Sequence, residues 1–136
     1  MAVIGEVIRL EADNTLSFGN YDEVKKQKAD NFEVDGDLYK VKTHKEITRL
    51  EKNGKLLFES VPGAAVHRLK MDEKALVFEI EGFEDTQITV ELEPEQDYKI
   101  LIDHVNVGSM RSSFSGKVSF SMGLHQAVQS VKIEKI

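Results

Sequence analysis

The sequence predicts an all-β protein, a β-sandwich or a barrel-like fold, built from two tandem copies of one β-unit with pseudo-symmetry. Three observations lead there: apolar residues alternate at a period of two, turn dipeptides recur between the alternating runs, and the chain repeats itself. Leu76, Phe78 and Ile80 alternate with Val77 and Glu79. Ile88, Val90 and Leu92 alternate with Thr89 and Glu91, and Val118, Phe120 and Met122 with Lys117, Ser119 and Ser121. That period belongs to strands with one face in a core and the other in water. Displaced by 62 residues, Gly54-Lys55-Leu56-Leu57-Phe58 falls on Gly116-Lys117-Val118-Ser119-Phe120, and Ala65 through Met71 falls on Ala127 through Ile133. A repeat of this length fixes the architecture before any single residue does.

The elements follow in order. The first copy spans approximately residues 8–68. It opens on Ile8-Arg9-Leu10-Glu11, an apolar-basic-apolar-acidic phrase that returns as Leu69-Lys70-Met71-Asp72 and Val131-Lys132-Ile133-Glu134. Strands follow at Leu16–Phe18, near Phe32, and around Tyr39, Ile47 and Phe58. The Leu69 phrase opens the second copy, approximately 69–131, in which Tyr98-Lys99-Ile100 matches Tyr39-Lys40-Val41. Asp13-Asn14, Asp35-Gly36, Asn53-Gly54 and Ser115-Gly116 read as hairpin turns, because Asn and Gly tolerate positive φ. Many short strands with regular turns suggest a sandwich or a barrel.

One segment is ambiguous. Thr43-His44-Lys45-Glu46 has the form of a capping box, with Ile47 and Leu50 at helical spacing. Its counterpart, His104 through Met110, is a poor helix by propensity, so both copies read as hairpins. A two-residue turn at Asn53-Gly54 sets Leu50 opposite Leu57 and Arg49 opposite Phe58. Asp22 to Asp30 is the one stretch left to a short helix or an irregular loop.

The 136 residues amount to one compact domain, 1–136. A lone 60-residue unit would be marginal, so the copies are expected to share a core. The net charge of −6 argues against nucleic acid, which needs a basic face, and against an anionic membrane surface. With no cysteine there is neither a disulfide framework nor a thiolate metal site. The N-terminus lacks the basic and apolar regions of a signal peptide, and a cytoplasmic protein is the simplest expectation, although a chain whose leader had been removed would read the same.

No catalytic, metal or cofactor motif stands out. His44 and His104 occupy near-equivalent places in the two copies. They form either a shared site at the pseudo-symmetry axis or a strand-end histidine inherited twice; no metal-ligand spacing accompanies them. His67 and His125 have no histidine counterparts and read as incidental. Ala75 to Tyr98 holds eight acidic residues and no basic one. It reads as a calcium site or as a solvated strand face, with Glu79, Glu81, Glu91 and Glu93 opposite the apolar face and no calcium-loop spacing. Its paired carboxylates are too common on a strand to mark a glycosidase. Ser109, Ser112, Ser113 and Ser115 cluster without a nucleophile elbow and fit a flexible hairpin tip. Gly54-Lys55 and Gly116-Lys117 lack the earlier glycine of a phosphate loop. Tyr39 and Tyr98 are expected to pack with tethered hydroxyls. Tyr21 matches Phe83, beside Asp22 and Glu84 respectively; if exposed, this pair is the best candidate for a sugar platform, but packing is the favoured reading.

Gly5-Glu6-Val7-Ile8-Arg9-Leu10-Glu11-Ala12, Gly36 through Thr43, and Phe58-Glu59-Ser60-Val61-Pro62-Gly63 resemble a set of short bacterial proteins catalogued as endosialidases. The resemblance spans nearly the whole chain and implies a link to glycan-handling or phage-tail-like β-proteins. It carries over no catalytic residue. Sialidase propellers are much longer and have tryptophan-containing boxes, and this chain has no tryptophan. Arg9, Arg49, Arg68 and Arg111 match no arginine triad.

The expected function is a non-enzymatic binding or assembly module that self-associates. The alternatives are a glycan-binding accessory domain and, last, a small glycan hydrolase. The terminal strands, Ile4 to Glu11 and Val128 to Ile136, each lack a neighbouring copy and so one hydrogen-bonding neighbour. Either the termini pair within one chain and close the structure, or the last strand adds to a neighbouring subunit's sheet; self-association is the favoured expectation. The basic run Lys25-Lys26-Gln27-Lys28, set against the acidic second copy, would guide chains together.

Overall fold

A computed structural model describes residues 3–124 and 127–136. The described strands are β1 (Ile8–Leu10), β2 (Leu16–Phe18), β3 (Gln27–Val34), β4 (Asp37–His44), β5 (Ile47–Lys52), β6 (Lys55–Val61), β7 (Ala65–Met71), β8 (Ala75–Glu81), β9 (Thr86–Glu91), β10 (Asp97–Ile102), β11 (Val105–Arg111), β12 (Lys117–Met122) and β13 (Gln129–Lys135). They form a seven-stranded sheet, β1-β2-β7-β8-β13-β10-β11, and a six-stranded sheet, β12-β9-β6-β5-β4-β3. Every neighbouring pair is antiparallel. The two sheets make a β-sandwich around one apolar core. No helix among the described residues is long and apolar enough to cross a membrane.

Alternation builds that core as expected. Leu76, Phe78 and Ile80 are fully buried from the seven-stranded sheet, and Ile88 and Val90 from the six-stranded one. At its centre the Phe58 ring lies between Phe18 and Phe78, at 5.5 and 5.4 Å, edge-to-face with both. Phe58 comes from β6 and the other two from β2 and β8, so the rings interlock the sheets, in an arrangement that aromatic quadrupoles favour.

The ambiguous segment is a hairpin, with His44 opposite Ile47. From Tyr21 to Lys26 the chain is irregular, and β3 then begins at Gln27. The turn at Asn53-Gly54 sets Glu51 opposite Leu56, but a bulge follows. Leu50 therefore meets Phe58, and Arg49 meets Glu59, one residue away from the expected register. The extra residue, Leu57, lets two consecutive side chains, Leu57 and Phe58, be buried.

The strand order repeats only in part between the halves: β1-β2-β7 recurs as β7-β8-β13, but the hairpin that follows changes its place. In the first half the Tyr39 hairpin, β4–β5, stays between β3 and β6. In the second half the matching hairpin, β10–β11, lies in the opposite sheet, and β9 pairs directly with β12. The links explain the difference. Asp35-Gly36 and Asn53-Gly54 have positive φ at both residues and return the chain within one sheet. Their counterparts, residues 92–96 and 112–116, cross between sheets. The first contains Pro94, which cannot donate to a ladder.

Aligned residues consequently differ in role. A Cβ on Gly54 would meet nothing within 4 Å, whereas one on Gly116 would lie 2.2 Å from the Leu92 carbonyl oxygen. Phe58 is fully buried, but Phe120, on an edge strand, is only half-buried. The last strand is no edge either. β13 lies between β8 and β10, closed within the chain, while β1 is an edge of its sheet.

Candidate binding end of the sandwich

The registers bring particular loops together. Gln129 opposite Ile80, Ala65 opposite Glu81 and Val131 opposite Ile102 fix one end of the seven-stranded sheet. Thr43 opposite Gln27, Thr48 opposite Ser60 and Val61 opposite Gln87 fix the same end of the other sheet. Residues 19–26, 62–64 and 82–85 cross between sheets there, and the turns 45–46 and 103–104 close hairpins there. Tyr21, Phe83, His44 and His104 all lie at this end.

Buried hydroxyls hold the loops. The Asn20 amide donates to Thr43 Oγ1 at 2.9 Å, and Thr43 Oγ1 lies 2.8 Å from Thr48 Oγ1. Thr48 Oγ1 donates to the Ala64 carbonyl at 2.8 Å and accepts from the Ala64 amide at 3.1 Å. The Lys45 amide donates to the Glu23 carbonyl, and the Gly63 amide to the Lys45 carbonyl. Close backbone packing requires two glycines. A Cβ on Gly19, whose φ is +102°, would lie 2.3 Å from the Ala64 oxygen, and one on Gly63 2.1 Å from the His44 oxygen.

On this base Tyr21 and Phe83 meet edge-to-face, with centroids 4.7 Å apart and planes at 86°. They stand 62 residues apart in the chain and come from different crossing loops. Phe83 is 54% exposed and Tyr21 is partly buried. Burial, then the charges of Glu81 and Asp22, hold the Tyr21 hydroxyl above the usual tyrosine range. Asp22, Glu84 and Asp85 flank the rings in sequence and are exposed.

The histidines are not brought into one site. His44 is buried at the end of β4, on the flank of β3, with its carbonyl packed on Gly63. His104 is exposed on the opposite flank, where Asp103-His104 forms a two-residue turn with φ of 50° and 68°. His125 lies outside the described residues.

Two residues read otherwise in the sequence are structural partners. Glu81 is not on a solvated face. It is 4% exposed, and His67, 5% exposed, places Nε2 3.2 Å from its Oε1. Glu79 keeps to the expected solvated side, opposite His67 in the ladder and beside Arg68. The one sequence signal for the buried pair is that His67 and Glu81 fall on one face of adjacent strands.

At the opposite end one serine of the cluster is a staple. Ser112 is buried, accepts from the Gln96 amide at 2.9 Å and donates to the Glu93 carbonyl at 2.6 Å, tying the two crossings together. Tyr98 is buried, with its hydroxyl accepting from the Glu93 amide at 3.2 Å, while Tyr39 is half-buried. A broad trough of about 1100 Å³ runs over the outer face of the six-stranded sheet. Within it Arg49 is paired to Glu59 at 2.5 Å and Thr89 Oγ1 lies 2.9 Å from Ser119 Oγ. No group of three or more metal-ligating side chains converges among the described residues. No protein-family model, curated protein or solved structure matches the chain.

Proposed function

We propose that this protein is a non-enzymatic binding module whose ligand meets the end of the sandwich bearing Tyr21 and Phe83. One observation carries the reading. Two aromatic rings from separate crossing loops meet at a loop-bearing end, and the outer ring is 54% exposed on a base held by buried hydroxyls. Such a ring offers a pre-organised apolar surface at little entropic cost on binding. A glycan is the ligand class that fits. The C–H face of a sugar ring packs on the aromatic face, and neighbouring carboxylates accept hydrogen bonds from its hydroxyls. The resemblance to proteins catalogued as endosialidases supports the same link to glycans.

A glycan array probed with the purified chain, followed by calorimetry on any ligand found, tests the reading. Binding should be lost in Phe83→Ala, in a variant that keeps the wild-type circular dichroism. An array without a ligand, or binding that Phe83→Ala leaves unchanged, overturns it.

A further inference from the structure

We propose that β11 is the interface through which two copies of this chain join their seven-stranded sheets, antiparallel and about a two-fold axis. The proposal is independent of the ligand at the aromatic end.

β11 is an edge, paired only with β10 among the described residues. From Val105 to Met110 it carries no charge, and Val105 and Val107 are 62% and 57% exposed. An uncharged edge with exposed apolar residues is a template for a further strand. The other edges are guarded. β1 has three residues, with Arg9 tied to Glu6 and Glu11. β3 carries Lys28, Asp30 and Glu33, and its ladder is interrupted around Asn31, which has positive φ. β12 bears one charge, Lys117, opposite Glu91, and its uncharged remainder, Val118 to Met122, exposes no large apolar side chain.

The charges at the two ends of β11 say what fits the edge. Asp103 lies two residues before the strand, accepting from the Ser130 amide at 3.0 Å, and Arg111, 3.4 Å from the exposed Asp97 of β10, ends it. A second copy laid parallel would put like charge on like. Laid antiparallel with Val107 opposite Val107, it sets each Arg111 against the partner's Asp103, twice by symmetry. The uncharged middle then pairs with itself, and the exposed valines are covered. Val107 is the extra residue of the bulge between β10 and β11, so the axis falls where the ladder to β10 is interrupted. A two-fold pairing uses this edge on both copies and closes, leaving only the short, guarded β1 edge at each end of the joined sheet.

Sedimentation equilibrium of the whole chain tests the interface. The wild type should have twice the 15.4 kDa chain mass, with a dimer that weakens as salt rises. Val107→Lys, which brings two like charges together at the axis, should give the mass of one chain with unchanged circular dichroism. Arg111→Glu should weaken the dimer by about tenfold or more, and adding Asp103→Lys should restore it to within a few-fold of wild type. A wild type that stays at one chain mass at high concentration overturns the proposal. So does a dimer that neither Val107→Lys nor Arg111→Glu weakens.

Discussion

His67 Nε2 lies 3.2 Å from Glu81 Oε1, and both side chains are shut away from solvent on what alternation would make the outer face of the seven-stranded sheet. Removing one partner strands the other. His67→Ala is expected to cost about 3–5 kcal/mol, because it leaves a buried carboxylate unpaired. Replacing both residues with leucine should recover most of that loss. Urea denaturation of the two single variants and the double variant measures the coupling, and additive losses would contradict a direct pair.

Phe58 and Phe120 align in sequence, yet their truncation should differ. Phe58→Ala empties the space between Phe18 and Phe78 and should cost about 3–5 kcal/mol. Phe120 is half-buried on an edge strand, so Phe120→Ala should cost roughly half as much. Equal losses in denaturant midpoints would mean that the edge strand is packed as tightly as the centre.

Gly54 and Gly116 make the same contrast in the backbone. Gly54→Ala meets no neighbour and carries only the strain of φ +81°, about 1–2 kcal/mol. Gly116→Ala would also drive its Cβ into the Leu92 carbonyl and should lower the melting temperature much further. Similar melting temperatures for the two variants would refute the close approach.

Stability should fall in acid. The Ser17 hydroxyl, before Arg9, holds Glu11 below the usual carboxylate range. The Thr15 hydroxyl does so for Asp13, the backbone amides of Lys74 and Ala75 for Asp72, and Lys99 with Lys132 for Glu134. A depressed folded-state value means that the stabilisation is whole above the unfolded carboxylate range, about pH 4, and is lost as pH falls through the lower folded values. Tyr21 acts at the other extreme. Its raised value favours the neutral phenol, so that contribution is whole below about pH 10 and is lost as pH rises through the higher folded value. Melting temperatures across pH should fall at both extremes. Glu11→Gln should flatten the acid limb, and Glu81→Gln should lower the Tyr21 titration measured by ultraviolet absorbance.

Deleting residues 131–136 should unfold the chain. β13 pairs on both sides, and Val131 and Ile133 are core residues. Circular dichroism of the truncated chain measures this, and retained strand signal would show that β8 and β10 can close on each other.

The sequence made the strands legible because a period of two is a direct statement about faces. The turns at Asp35-Gly36 and Asn53-Gly54 were legible because they need positive φ. The turn at Asp103-His104 was not, since it meets the same demand without glycine. Sheet membership stayed hidden. Alternation says which side of a strand is buried, but not which sheet the strand joins, and β10 and β4 share a sequence phrase while lying in opposite sheets. Of the site, the Tyr21 and Phe83 correspondence was visible as a repeat match, whereas their contact depends on two crossings meeting at one end. The burial of Glu81 was invisible because His67 reaches it only across a strand pair.

The sheet order also sets a timetable for synthesis. β7 to β13 supply five strands of one sheet and two of the other, so residues 65–135 contain partners for one another. The first half has no such independence. β2 waits for β7, and β6 has no second neighbour until β9 has been made. The four-stranded β3–β6 meander therefore leaves the ribosome after β1 and β2 alone, with much of its apolar face awaiting the later strands. Contacts between distant parts of the chain form slowly. The interval in which nascent chains can associate wrongly therefore includes the time before β9 is complete at Glu91.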